Sequence, residues 1–210
     1  DALLMPLMAW GIGRGDAVFT TPFTFIATAE VIDILGATPV FVDIDHETYN
    51  IDPKLLDKAI HKTIEEGRLT PKAVIPVDLF GIPADYDRIE TTAAKYGIKV
   101  LEDAAQGFGG VYKGNRAGSF GNAAATSFFP AKPLGCYGDG GASFTDDAEL
   151  HEKLKSIRVH GKGLDKYDNV RTGINGRLDT IQAAVVLSKL SIFDEELKFR
   201  NEAAEKYTQG

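Results

Sequence analysis

The sequence predicts an α/β fold, a mainly parallel sheet with helices on both faces. Three observations carry this. Short runs rich in β-branched residues alternate with helix-period patterns along nearly the whole chain. Several helical patterns stop at a glycine (Gly36, Gly67, Gly97), and the next strand run begins a few residues later. A chain of 210 residues with 44% apolar side chains also suffices for one sizeable core.

The elements follow in order. "DAVFTT" (16–21) reads as a strand, and "FIATAEVIDILG" (25–36) as a helix stopped by Gly36. "TPVFVDID" (38–45) is the next strand. Asp52 and Pro53 pair an N-cap acid with a proline at the first helical position, and Leu56, Ile60 and Ile64 recur on one face until Gly67. "KAVIPVDL" (72–79) is a third strand, and "PADYDRIETTAAKYG" (83–97) a helix. Strands are expected at 98–103, 123–129 and 140–145, and helices at 147–158 and 178–206. Pro6 should kink or shorten the helical pattern that opens the chain.

Composition excludes several classes. The net charge of −7, from 30 acidic and 23 basic side chains, argues against a general nucleic-acid binder. A local basic cluster for a small anion is compatible with it. No apolar run reaches the length of a membrane span, and "DALLMPLMAWGIGRGD" lacks the basic start of a signal peptide. The single cysteine, Cys136, rules out an internal disulfide, so a reducing cytoplasm is the default compartment.

In parallel α/β sheets ligands collect at the carboxyl ends of the strands. "IKVLEDAAQGFGG" ends its strand on Glu102 and Asp103, with Gln106 close behind. Two acids in that position commonly just end a strand and cap the next segment. The next strand run leads into "TSFFPAKPLGCYGDGG", which carries Lys132 between prolines. An acid and a lysine at two strand mouths suit pyridoxal phosphate, which needs a lysine for its Schiff base and a carboxylate at the pyridine nitrogen. Ser127 offers a hydroxyl for a phosphate. Phe25 offers a flat face, although an aromatic at a strand–helix junction is more often core packing. The glycines after Lys132 give the backbone freedom to turn close to a cofactor.

Five segments together, "TPFTFIATAEVIDILGATPVFVDID", "VLEDAAQGFGG", "SFFPAKPLGCYGDGG", "RVHGKG" and "GINGRLDTIQAAV", resemble the DegT/DnrJ/EryC1/StrS family of sugar aminotransferases in order and spacing. The resemblance implies the large domain of a fold type I, aspartate-aminotransferase-like enzyme using pyridoxal 5'-phosphate. It gives Lys132 the covalent link to the cofactor and the proton shuttling, and Asp103 the pyridinium nitrogen. Gln106 would lie beside the ring, Phe25 would stack on it and Ser127 would hold the phosphate. Asn175 would reach the phosphate of a neighbouring subunit's cofactor, which implies a homodimer with shared sites.

Related sugar dehydratases carry histidine where this chain has Lys132, so the resemblance implies transamination. Glutamate would give its amino group to the cofactor, and a keto-sugar would take it up. The nearest resemblance is to enzymes aminating the 3-keto group of a UDP-linked N-acetylhexosaminuronate for bacterial O-antigen sugars. Arg158, His160, Lys162 and Arg177 offer a basic set for the diphosphate and the sugar carboxylate, although any one of them more often reads as a solvated or salt-bridged residue; Arg177 has the best claim. A lyase or dehydratase acting on a sugar, and a non-catalytic regulatory or binding protein on the same scaffold, are the alternatives.

Other signals fall away. "DIDHETYNID" (43–52) lacks the glycine and bidentate glutamate of a calcium loop. The histidines show no metal-ligand spacing. Cys136 reads as a small buried residue, and Asp78 and Asp85 as turn and capping acids. Family members are longer, so the chain is expected to be a piece of a larger protein. Residues 1–190 would form the cofactor-binding large domain, and 191–210 the start of the connection to a small C-terminal domain.

Overall fold

In the computed structural model, which describes residues 1–165 and 167–210, six strand runs hydrogen-bond into one sheet. They are β1 (Asp16–Thr20), β2 (Thr38–Phe41), β3 (Thr70–Ile75), β4 (Lys99–Asp103), β7 (Ala123–Ser127) and β8 (Gly141–Phe144), in the order β2-β1-β3-β4-β7-β8. All pairings are parallel except β7 with β8. Seven helices accompany them among the described residues: α1 (Leu4–Ala9), α2 (Ala27–Ile34), α3 (Pro53–Glu66), α4 (Tyr86–Tyr96), α5 (Ala148–Ile157), α6 (Thr180–Leu190) and α7 (Phe193–Gln209). The fold is α/β, as expected.

The strands bury both faces because successive side chains point opposite ways. Val18, Ile75 and Leu101 pack on one side against Leu7 of α1, Ile32 of α2 and Leu154 of α5. Phe19, Val74 and Val100 pack on the other against Leu56 and Ile60 of α3 and Ile89 of α4. Local chemistry sets the helix ends. The Asp52 carboxylate accepts from the N–H groups of Lys54 (2.7 Å) and Leu55 (3.3 Å), and Gly67 turns left-handed with φ 63°. Asp147 caps α5 in the same way.

Several expectations need correction. Ile64 is 50% exposed, and Thr63 takes the buried position instead. Two steps of four residues drift about 80° around a helix of 3.6 residues per turn, whereas the seven-residue step from Leu56 to Thr63 returns to the same face. The helix expected over 178–206 breaks at Ser191 and Ile192, the latter at φ −114°, as Phe193 turns inward against Phe128, Leu134 and Cys136. The second strand ends at Phe41 and the third at Ile75, where Pro76 cannot continue the ladder. The opening helix is short, as expected: α1 has six residues, with Pro6 in its first turn, where its missing N–H has no intrahelical role. A two-stranded ribbon, β5 (Val111–Tyr112) with β6 (Asn115–Arg116), was not expected. Its signal is the Lys113-Gly114 turn, both residues at positive φ.

Candidate active site

Asp103 closes β4 at the carboxyl edge of the sheet and is 4% exposed. The Thr28 hydroxyl donates to its Oδ2 (2.8 Å), and the Ala105 N–H to its Oδ1 (3.1 Å). With the Thr28 proton committed to Asp103, the 2.9 Å contact between Thr24 and Thr28 has Thr24 as donor. Burial pushes the Asp103 carboxyl above its usual range, opposed by those two donors and the Lys132 charge. A buried acid in this balance is suited to a cationic N–H partner.

Lys132 stands half-buried on the loop between β7 and β8. The loop is closed at its base. The Phe128 N–H donates to the Gly140 carbonyl (2.8 Å), and the Cys136 N–H and thiol donate to the Phe128 carbonyl (2.7 and 3.0 Å). Cys136 is buried as expected. The glycines here have a different role from the one expected. A Cβ on Gly135 would lie 2.5 Å from the Pro130 carbonyl oxygen, and one on Gly140 2.8 Å from Leu178, while neither has positive φ. They permit close packing, and the loop is tied down. Helix α6 supports it: the Gln182 Oε1 accepts from the Tyr137 N–H (2.9 Å), and the Lys189 ammonium donates to the Gly135 carbonyl (2.6 Å).

The remaining candidates fall into two groups. Ser127 ends β7 beside β4, its hydroxyl oxygen accepting from the Phe129 N–H (3.2 Å). Gln106 is exposed on the turn after Asp103. Phe25 is 69% exposed just before α2, so the core role usual for such an aromatic is overturned. The second group sits on a narrow backbone pairing after α5. The His160 N–H donates to Ile174 (2.9 Å), the Gly176 N–H to Arg158 (3.0 Å), and Val159 bridges Asn175. This pairing gathers Arg158, His160, Asn175 and Arg177, all exposed, and the Arg177 Nε donates to the Asn175 Oδ1 (2.9 Å). Lys162 is exposed a little further along and bridges Asn169. The next residue after Arg177, Leu178, packs on the lysine loop.

Sequence reading missed one contributor. Thr28 is signalled only by the threonines at i and i+4 in "TFIAT". Glu102 is fully buried, its oxygens accepting from the Gly118 (2.6 Å) and Phe120 (2.8 Å) N–H groups, so it anchors the turn after β6. Asp85 caps α4 as expected, while Asp78 is fully buried.

The molecule is an α/β protein whose strand-end acid and lysine loop meet at the carboxyl edge of its sheet, the edge where ligands collect in such folds. The chain belongs to the DegT/DnrJ/EryC1/StrS aminotransferase family, whose model matches residues 1–210. It is 53% identical over 209 residues to the UDP-2-acetamido-2-deoxy-3-oxo-D-glucuronate aminotransferase of Pseudomonas aeruginosa, covering 99% of this chain and 55% of the relative. The crystal structure of a family aminotransferase from Brucella abortus superposes with a TM-score of 0.98 at 58% identity, over 99% of this chain and 56% of that one. NtdA of Bacillus subtilis, solved with bound cofactor PMP, matches with a TM-score of 0.79 at 34% identity, over 89% and 41% of the two chains. The chain thus spans about half the length of the relatives it matches.

Proposed function

We propose that this chain forms the cofactor-binding part of a pyridoxal-phosphate-dependent aminotransferase. The reaction moves an amino group from glutamate to the 3-keto group of a UDP-linked N-acetylhexosaminuronate, for bacterial surface polysaccharide such as O-antigen. The observation that carries this is the buried Asp103 carboxyl at the end of β4, within electrostatic reach of Lys132 on the loop that follows the adjacent β7. The donor set fits the cofactor: an acid raised by burial for a ring N–H, a lysine amine, and a strand-end hydroxyl for a phosphate. When bound, the cofactor supplies the electron sink that lets a proton leave the carbon bearing the amino group.

The chain's own residues do the rest. Asp103 holds the ring nitrogen protonated, and Thr28 orients that carboxylate. Lys132 would carry the cofactor and move the proton at Nζ. Ser127 would hold the cofactor's phosphate, and Phe25 and Gln106 would hold its ring. Arg177, Arg158 and His160 bind the substrate's anionic groups, Arg177 being oriented by Asn175. Asn175 also serves the phosphate site of a second subunit, so the working unit is a homodimer. No helix among the described residues is long and apolar enough to cross a membrane. A cytoplasmic site of action suits an enzyme using a nucleotide sugar.

Adding pyridoxal phosphate to the full-length protein should give the visible absorbance of a lysine-bound cofactor, and Lys132→Ala should abolish it. An identical spectrum in the variant overturns the assignment. Across a panel of keto-nucleotide sugars, amination should consume glutamate in equal amount, and product without glutamate consumption would favour a lyase.

A further inference from the structure

Behind Asp103 lies a second buried acid that the reaction does not use. The Asp78 N–H donates to the Asp103 carbonyl (3.0 Å), the Asp103 N–H donates to Pro76 (2.9 Å), and Val77 bridges Asp103. Asp78 is therefore stitched to the backbone that aims the site acid. Its Oδ1 accepts from the Ala84 N–H (3.0 Å) and the Tyr86 hydroxyl (2.7 Å). Its Oδ2 is buried and accepts from no N–H or hydroxyl among the described residues, and the neighbouring polar group is the Glu102 carboxyl. Gly107, on the turn that carries Gln106, packs directly on the Asp78 side chain and leaves no room for a Cβ.

The groups facing Asp78 are the Tyr86 phenol from α4 and the Glu102 carboxyl from β4, with Asp103 beyond them. Both Glu102 oxygens already accept backbone N–H groups. Among the described residues no cation pairs with Asp78 or Glu102, and the Lys132 charge acts on Asp103. Two neighbouring ionised carboxylates cannot both stay buried without a cation, whereas one proton between them removes the repulsion and satisfies the orphaned oxygen.

We propose that Asp78 and Glu102 form a carboxyl pair sharing one proton, held by Asp78 Oδ2, and that this pair is the positioning element that seats Asp103 and the Gln106 turn. Burial and the Glu102 charge push the Asp78 carboxyl up to about 9, in agreement with the geometry. The pair then puts one negative charge behind Asp103 instead of two. Its bearing on cofactor binding rests on the function proposed above, but its protonation does not.

The folded protein keeps a proton that the unfolded chain releases near the ordinary Asp value. Its stabilising contribution is complete below that value and is lost as pH rises through about 9. Asp78→Asn keeps the acceptor for Tyr86 and Ala84 and replaces the proton with an amide N–H. Its melting temperature should therefore rise relative to wild type between pH 6 and pH 9. A difference that stays constant across that range, as for an acid ionised throughout, overturns the proposal. The infrared carbonyl band of a protonated carboxylic acid should be present in wild-type protein at pH 7 and weakened in the Asn variant. Its absence from wild type overturns the pair even if the variant fails to fold.

Pyridoxal phosphate affinity should change by less than about threefold in Asp78→Asn. It should fall by about tenfold or more in Asp78→Leu, which strands the Tyr86 hydroxyl. Equal affinities for the Leu variant and wild type overturn the positioning role. Failure of wild-type protein to bind the cofactor at all bears on the proposed function, while the melting and infrared readouts test the pair without cofactor.

Discussion

Thr28 decides how Asp103 can carry a charge at 4% exposure. A buried carboxylate depends on the donors around it, and hydrogen bonds to a charged group are the stronger kind. Thr28→Val keeps the shape, removes the 2.8 Å donor and should cost about 1–3 kcal/mol in urea unfolding. Because burial raises the Asp103 pKa, its ionisation already costs folded-state stability as pH rises, and losing Thr28 raises it further. The stability gap between Thr28→Val and wild type should therefore widen as pH rises, and a gap that is equal at every pH would mean Thr28 contributes packing only. The acid and the lysine were legible in the sequence because each follows a recognisable strand run. Thr28 and the Asp78–Glu102 contact were not, because 75 residues of chain separate Thr28 from Asp103 and only the folded sheet brings each pair together.

Among the elements, α6 has the clearest role, since it stiffens the loop that presents Lys132. The Lys189 ammonium donates to the buried Gly135 carbonyl and lies 4.7 Å from the centre of the Tyr137 ring. Lys189→Met keeps the stem and removes the donor, leaving that carbonyl unpaired at a cost of about 1–3 kcal/mol. Hydrogen exchange should quicken in the amides of 128–140 while β1, β3 and β4 keep their protection. Uniform quickening throughout the sheet would show that α6 supports the whole fold instead. Elements were legible where local chemistry sets them: Asp52-Pro53 opening α3, Gly67 closing it, the apolar run of β4. The break between α6 and α7 was hidden, since the segment has an unbroken helical pattern and ends only because Phe193 is drawn into a tertiary cluster. The full length of "TPVFVDID" could not persist as a strand for a related reason: the Asp52 N–H donates to the Asp43 carbonyl, turning the chain toward α3 beyond Phe41.

At the scale of the molecule, the two groups of candidate residues raise a question of assembly. Asp103, Lys132 and Ser127 lie on two neighbouring strands and the loop after them, whereas Asn175 and Arg177 project, exposed, from the separate pairing after α5. Exposed apolar side chains on α6 (Ile181 at 76%, Leu187 at 67%) leave area for a second copy to cover. If Asn175 serves the neighbouring subunit's phosphate, the lysine and asparagine of one chain belong to different sites. Lys132→Ala and Asn175→Ala proteins, each with little activity alone, should then complement when unfolded together and refolded. Random pairing makes half of the dimers mixed, and each mixed dimer contains one site with both residues intact. Activity should recover to about a quarter of wild type. If Asn175 acts within its own chain, every site in the mixture lacks one residue or the other, and no recovery beyond the sum of the two variants can occur.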